Sequence, residues 1–319
     1  MRLAALAGEV MAFATDTMLH VFTGPPGQPR AHREWPLPWT PDALALSPSG
    51  TFALVVSTGA DRGRVIDLRT GATLLDIASA GRRSGSIAAA FAATPAGELL
   101  VISRERFVLE ALTLPIGKAL FRVACHAPQP FVFDSLHPML DDDTIIAIGH
   151  GESESKDSMA TISLRALAAD TDWFTHELVR RRRPWDYAYR VASGPLGHDG
   201  LIAFRDPEDD ELPDEHVPPS GRDVEGFRGF YSRRLADGAL VERIDVDAPI
   251  GSGAPLFATQ DTIVAGATGR VLLVARGGDR QTTTLDAPVY AFDERGGRIL
   301  TVSDGELTLH HLAERGVDA

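Results

Sequence analysis

The sequence predicts an all-β protein, a seven-bladed β-propeller built from four-stranded antiparallel blades. Three observations carry this prediction. Short apolar runs alternate with polar or glycine-containing turns, a four-strand unit recurs along the chain, and its copies are spaced by about 40 to 45 residues, as propeller blades are. A single blade leaves both apolar faces uncovered, so the blades must stack and the ring must close. Residues 1–319 are therefore expected to form one domain.

The clearest unit lies at residues 42–77. A mostly apolar run at 42–47 precedes a Pro-Ser-Gly turn, and the next run, 51–57, is rich in β-branched and aromatic residues. Two further runs, 64–68 and 72–77, flank an Arg-Thr-Gly turn. Runs of this kind between glycine- and proline-containing turns are typical of strands, so these residues predict a four-stranded antiparallel meander.

Both halves of this unit recur. The first half, an apolar hairpin, is predicted at 3–14, 87–102, 131–148, 187–204, 256–265 and 289–302. The second half is predicted at 107–123, 160–179, 230–244 and 271–285, with a last strand at 307–312. A short helix over 167–183, with Thr171 as N-cap, is the alternative at that point, and the repeat register favours a strand. The last blade either lacks its outer strand, which the register favours, or is completed by residues 1–6.

Charge and cysteine content exclude several functional classes. With 31 Lys+Arg against 44 Asp+Glu, the formal net charge is −13, which opposes binding to nucleic acid or to an anionic membrane. No apolar stretch approaches the roughly 18 residues of a membrane span. The single cysteine, Cys125, permits neither an intrachain disulfide nor a thiolate zinc cage, so a cytoplasmic location is expected.

One segment carries a family resemblance. The turn SPSG at 47–50, followed by RVIDLRTG at 64–71, resembles the WD40 and YVTN class of propeller repeats, with Ile66 where that class usually has tryptophan. The resemblance implies a propeller fold and a scaffold role, and it carries over no catalytic residue. The chain is also similar in style to divergent bacterial propellers that work beside MoxR-type ATPases and von Willebrand A proteins. A protein from such a system is therefore the expected partner.

Three unusual segments are expected to be neighbours. In a propeller, the joints between blades and the turns from second to third strands share one end of the channel. That rule groups the blade-four turn at 149–158, the joint at 180–185 and a long acidic insertion in blade five at 206–226. The insertion is acidic and proline-rich, which predicts either a solvated loop or a docking element. A calcium site is a weaker alternative, because the Asp-x-Asp-x-Asp-Gly spacing is missing.

The predicted partner-binding residues combine basic, acidic and aromatic side chains at that end. The arginines of the joint suit recognition of a carboxylate or phosphate group, or they neutralise the insertion beside them. Two tryptophans are either interface anchors or core residues under a loop. The full set is Arg181, Arg182, Arg183, Trp185, Trp39, Glu152, Glu154, Asp209, Asp210 and Glu211.

Enzymatic interpretations have little support in the sequence. The ten histidines are scattered, and His310 and His311 would point to opposite faces of a strand, so no metal triad is predicted. Cys125 and His126, adjacent on an extended joint, would point apart. The sequence therefore predicts a non-enzymatic protein-interaction scaffold without a cofactor or metal. A channel-centred enzyme, such as a lactonase-like metal-dependent hydrolase, is the open alternative because its carboxylates would converge from separate blades.

Overall fold

The computed structural model describes most of the chain between residues 3 and 312. The described residues are 3–24, 31–57, 59–78, 87–103, 107–115, 118–124, 131–139, 142–151, 157–169, 191–193, 201–205, 229–234, 240–245, 256–258, 262–267, 269–275, 282–293, 295, 297–304 and 306–312. They form seven antiparallel sheets, five of four strands and two of three, and one short helix. The helix has six residues, and no helix in the described part is long and apolar enough to cross a membrane.

The sheets follow one another along the chain. The first contains β1 (Leu3–Ala7), β2 (Val10–Ala14), β3 (Met18–Thr23) and β4 (Ala31–Pro36). The second contains β5 (Ala43–Leu46), β6 (Phe52–Ser57), β7 (Arg62–Asp67) and β8 (Thr73–Ala78). The third contains β9 (Ala88–Thr94), β10 (Gly97–Ser103), β11 (Val108–Thr113) and β12 (Ala119–Ala124). The fourth contains β13 (Phe131–Pro138), β14 (Thr144–Gly151) and β15 (Asp157–Ser163), followed by α1 (Leu164–Ala169).

The remaining sheets repeat the same order. The fifth contains β16 (Val191–Ser193), β17 (Leu201–Arg205), β18 (Gly229–Arg234) and β19 (Leu240–Asp245). The sixth contains β20 (Leu256–Ala258), β21 (Thr262–Ala267), β22 (Arg270–Ala275) and β23 (Thr282–Asp286). The seventh contains β24 (Val289–Asp293), β25 (Arg298–Ser303) and β26 (Glu306–His311). Each predicted first hairpin is confirmed, because the first and second strands of every sheet pair antiparallel.

Turn chemistry explains why the strands end where they do. In the second sheet, the Asp67 carboxylate accepts a hydrogen bond of 2.7 Å from the N–H of Arg69, as an Asx turn does. Gly71 then takes a φ of +75°, a left-handed conformation that suits glycine. A methyl group at Gly71 would collide with the ring of Trp35. The predicted Thr-Gly turn is thus required by both backbone conformation and a close approach.

The hydrophobic core lies between neighbouring sheets. Every residue of β6 is buried, because its alternate side chains serve two different interfaces. Ala53 and Val55 pack against the first sheet, whereas Phe52 and Leu54 pack against the third. Similar apolar layers join the third sheet to the fourth, the sixth to the seventh and the seventh to the first. A strand that is buried on both faces reads as a continuous apolar run, as this one does.

The first strands of successive sheets contact one another. Strand β1 contacts both β5 and β24, so the first sheet lies between the second and the last. The same contacts run from β5 to β9, from β9 to β13, from β13 to β16 and from β16 to β20. The alternative in which residues 1–6 complete the last sheet is wrong for the described residues 3–6, because β1 pairs with β2 in the first sheet. The described part of the last sheet has three strands, as the repeat register favours.

The fourth sheet departs from the repeat. Its predicted third and fourth strands spanned 160–179, but the strand covers Asp157–Ser163 and a helix follows at once. Ser163 is the N-cap, since its hydroxyl accepts a hydrogen bond from the N–H of Ala166, and Asp143 accepts another from the N–H of Arg165. The alternative helix at 167–183, capped by Thr171, stays a prediction, because α1 ends at Ala169 and the structure does not describe the residues that follow. Residues 170–183 lie outside the described part.

Candidate functional site

The two ends of the sheets carry different sets of connections between strands. Since neighbouring strands are antiparallel, connections from first to second strands emerge at one end, here called the turn end. Connections from second to third strands emerge at the opposite end, here called the loop end. The sequence analysis assigned the predicted partner-binding segments to the loop end, and most of their residues lie outside the described part of the chain. Among the described residues, the polar contacts that link the connections of one sheet to another sheet are found at the turn end.

At the turn end, the second and third sheets are joined by side-chain hydrogen bonds. The hydroxyl of Ser49 donates a bond of 2.9 Å to the Glu98 carboxylate, and the Ser49 backbone N–H donates to the other oxygen of that carboxylate. The N–H of Leu114 also donates to the carbonyl of Glu98 over 3.0 Å. Glu98 therefore holds the turn at 47–50 against the third sheet.

A largely buried ion pair of the last sheet binds the backbone of Gly8 in the first sheet. Arg298 donates to the Asp293 carboxylate, and the two side chains are 14% and 8% exposed. The same guanidinium donates to the carbonyl of Gly8 over 2.6 Å, and the Gly8 N–H donates to Asp293 over 3.3 Å. Both backbone groups of one glycine are thus bound by the last sheet.

A third contact joins sheets that are not neighbours in sequence order. Asp142, in the turn between β13 and β14, forms an ion pair with Arg295, in the turn between β24 and β25. Asp142 has a φ of +59°, which fits the turn predicted at 141–143. Both side chains are more than one third exposed, so the pair contributes about 1 kcal/mol or less. The turn end uses these polar groups for structural contacts.

At the loop end, two predicted segments begin on neighbouring sheets. In the fourth sheet, His150 pairs with Asp157 at the last step of the β14–β15 ladder, on either side of residues 152–156. In the fifth sheet, Arg205 pairs with Phe230 at the last step of the β17–β18 ladder, on either side of 206–228. Strands β13 and β16 contact each other. Both connections therefore leave adjacent sheets at the same end.

The predicted binding residues fall mostly outside the described part of the chain. These are Arg181, Arg182, Arg183, Trp185, Glu152, Glu154, Asp209, Asp210 and Glu211. Trp39 is described: it is half-buried between β4 and β5 and packs against the core shared by the first and second sheets. Core packing was one of the two roles predicted for Trp39. Its predicted role in partner binding stays a prediction.

One group of side chains in the described residues could hold a metal ion. The ligand atoms of His20, His32 and Glu34 all lie within 4.8 Å of one another. His20 is on β3, whereas His32 and Glu34 are on β4, so the group sits on the third and fourth strands of the first sheet. The first strands, where a channel-centred site was expected, contribute none of its members. Sequence reasoning missed this group because it assigned no hairpin to residues 18–36.

The comparisons with known proteins bear on the fold. No family model matches the chain, and no curated protein matches its sequence. Among solved structures, the chain is similar to Kuenenia stuttgartiensis hydrazine synthase, with a TM-score of 0.64, 12% identity, and 98% of this chain and 95% of that chain covered. It is also similar to a chain of a mitotic checkpoint complex, with a TM-score of 0.59, 12% identity, and 98% and 87% covered. Both are propeller-type folds, so these likenesses show that the chain has an all-β, propeller-type fold.

Proposed function

We propose that this protein is a non-enzymatic interaction scaffold that binds a protein partner at the loop end of its fourth and fifth sheets. One observation carries the proposal: the connections at 152–156 and 206–228 leave two adjacent sheets at the same end. Connections on a rigid sheet framework are the usual carriers of binding function. The scaffold role is also what the resemblance to WD40 and YVTN repeats implies.

The sequence of these segments supports a protein partner. The joint that leads into β16 carries Arg181, Arg182, Arg183 and Trp185, and the connection at 206–228 is strongly acidic. Opposite charges around an aromatic side chain favour steering and orientation of a protein surface. A partially exposed tryptophan is a frequent anchor of such interfaces. The similarity in style to propellers of MoxR ATPase and von Willebrand A systems makes a protein of that type the first partner to test.

The turn end supports a rigid platform. Ser49 with Glu98, and Gly8 with Asp293 and Arg298, fix neighbouring sheets to one another. We infer that each of the seven sheets is one blade and that contact between β24 and β1 closes the ring. On this inference, the described parts of the fourth and seventh blades have three strands each. A closed ring presents its connections in fixed relative positions, which preorganises a binding surface.

Charge reversal at the two ends tests the proposal. The variant R182E/R183E changes the loop end, and the matched control R69E/R165E makes the same change in charge beside the turn end. Both control residues lie beside the turn end. Leu68, which precedes Arg69, donates its N–H to the carbonyl of Thr51 in the connection from β5 to β6. Arg165 donates its N–H to the carboxylate of Asp143 in the connection from β13 to β14. Each tagged chain is used to capture partners from cells that express it.

The expected result is selective. R182E/R183E and W185A lose a partner that the wild type and R69E/R165E both capture. Trp185→Ala should weaken binding of the purified partner by about 2 kcal/mol, the size of an interface hot spot. If the control loses the partner and the loop-end variants retain it, the binding surface is at the turn end and the proposal is wrong.

A further inference from the structure

We propose that His20, His32 and Glu34 form a binding site for one Zn²⁺ ion, with a fourth coordination position left for water. The site is independent of the interaction surface at the loop end. It belongs to the hairpin of β3 and β4, the two outer strands of the first sheet. Imidazole nitrogen with a carboxylate oxygen is a donor set that Zn²⁺ prefers, whereas Ca²⁺ and Mg²⁺ prefer oxygen alone.

The hairpin register brings the three ligands to one face. His20 lies directly opposite Glu34, and His32 lies directly opposite Phe22. Residues two apart on a strand point to the same face, so all four side chains share it. Phe22 packs against the core between the first and last sheets, which identifies the face. The opposite face of this hairpin carries Leu19 and Val21, which pack toward the second sheet.

The donor atoms form a nearly equilateral triangle. His20 Nδ1 lies 3.3 Å from Glu34 Oε1, His32 Nε2 lies 3.5 Å from the same oxygen, and the two nitrogens are 3.4 Å apart. With zinc bonds of about 2.0–2.2 Å, two ligands of a tetrahedron lie about 3.3–3.5 Å apart. Neighbouring ligands of an octahedral Mg²⁺ ion, with bonds of about 2.0–2.1 Å, lie only about 2.8–3.0 Å apart. The triangle therefore has the dimensions of one face of a zinc tetrahedron.

Hydrogen bonding explains the same distances less well. A hydrogen bond between a charged imidazole and a carboxylate is about 2.7–2.9 Å long, shorter than either contact to Glu34 here. One carboxylate oxygen faces both imidazole nitrogens at nearly equal distance. A divalent cation between the three atoms would accept a lone pair from each of them. These coordination bonds would favour the close approach of the two imidazole nitrogens and the carboxylate oxygen.

The rings are held by their neighbours before any ion arrives. His32 stacks on Phe22 with ring centroids 4.4 Å apart and an interplanar angle of 4°. His20 stacks less closely on His32, at 5.6 Å and 16°. Because Phe22 is anchored in the core, this stack restricts the orientation of the His32 ring. A ligand that is oriented in advance loses less conformational entropy on binding a metal.

The site is open to solvent on its outer side. The side chains of His20, His32 and Glu34 are 26%, 39% and 50% exposed. The first sheet has four strands, whereas the described part of the last sheet, which packs on this face, has three. The outermost part of the face is therefore not covered by a fourth strand of the described last sheet. An ion can enter from solvent, and water can complete the tetrahedron, as in zinc sites with three protein ligands.

Zinc binding by the full chain tests the site directly. After treatment with a chelator, the protein is titrated with ZnCl₂ in a calorimeter, and with MgCl₂ and CaCl₂ in parallel. The expected result is saturable binding of one Zn²⁺ per chain, with no comparable binding of Mg²⁺ or Ca²⁺. The variants H20A, H32A and E34Q should each weaken Zn²⁺ binding at least about tenfold, since each removes one of three ligands.

Matched controls separate loss of a ligand from general damage. His310→Ala removes a histidine of the last sheet, which hydrogen-bonds to Thr301, and Glu306→Gln removes an exposed carboxylate of the same strand. Both should bind Zn²⁺ as the wild type does. A second readout is thermal stability: Zn²⁺ should raise the Tm of the wild type and of the controls, and raise it less in H20A, H32A and E34Q. The proposal is overturned if the wild type binds no Zn²⁺, or if the three variants bind it as tightly as the wild type.

Discussion

Asp293 accepts a hydrogen bond from the backbone N–H of Gly8 over 3.3 Å, although the two residues are 285 positions apart in the chain. The contact joins the end of β24 to the turn between β1 and β2. Arg298 binds the same Asp293 carboxylate and the Gly8 carbonyl. The first and last sheets are thus connected by a polar contact that only the folded chain can form.

Removing the charge of Arg298 should therefore destabilise the whole protein. Arg298→Met keeps much of the side-chain volume but removes the guanidinium that donates to the Asp293 carboxylate, which is 8% exposed. Loss of one partner of a buried ion pair costs about 3 kcal/mol or more. The measurement is the free energy of unfolding from urea denaturation.

The control for this prediction lies in the same hairpin. Arg295→Met removes the exposed partner of Asp142, so it should change the free energy of unfolding by about 1 kcal/mol or less. Equal losses in the two variants would mean that the contact between the first and last sheets is not a special source of stability.

Gly71 should be far less tolerant of a side chain than Gly269. The two residues have φ values of +75° and +73°, so Gly→Ala carries a similar backbone cost at both, about 1–2 kcal/mol. At Gly71 the new methyl group would also meet the Trp35 ring, whereas a methyl group at Gly269 would have no described atom within 4 Å apart from its chain neighbours. Thermal denaturation should show a larger drop in Tm for Gly71→Ala. A similar drop in both variants would contradict the close packing of Trp35 on this turn.

Deleting residues 209–219 should leave the free energy of unfolding nearly unchanged. The segment is acidic and proline-rich and offers little apolar area, and shortening a surface connection changes its closure entropy by well under about 1 kcal/mol. Circular dichroism and urea denaturation of the deletion variant provide the measurement. Loss of folding would show that this segment is a structural element.

The repeat pattern was predictable because its signals are local. The runs on either side of 47–50 and of 70–71 reveal strands through their apolar residues, and the turns through their proline, serine and glycine. The structure places strand ends at these turns. The same reasoning identified 307–312 as a last strand, and β26 covers Glu306–His311.

Features that depend on distant partners were not predictable in the same way. Helix α1 takes the place of the predicted strand only after Ser163, where Asp143, about one hairpin earlier in the chain, binds the N–H of Arg165 and the hydroxyl of Ser163. The repeat register contains no information on that contact. Likewise, the contact between Gly8 and Asp293 depends on the arrangement of the first and last sheets.

Predicting the cluster of His20, His32 and Glu34 from the sequence required the register of the hairpin between β3 and β4. These residues are 12 and 14 positions apart in sequence, and no short motif joins them. Once Met18–Thr23 is paired with Ala31–Pro36, residues whose numbers add up to 54 face each other, and the three side chains fall on one face. The signal was therefore present in the sequence, but only after a hairpin between 18 and 36 had been assigned.

The most direct test of the proposed function is the salt dependence of partner affinity. The Kd of the captured partner is measured for the wild type and for R182E/R183E, at low and at high ionic strength. We expect the charge reversal to weaken binding at least about tenfold at low salt and clearly less at high salt, because exposed charges are screened beyond about 8–10 Å at physiological ionic strength. Equal affinity of the two proteins at both salt concentrations would contradict the proposal that the partner binds at the loop end of the fourth and fifth sheets.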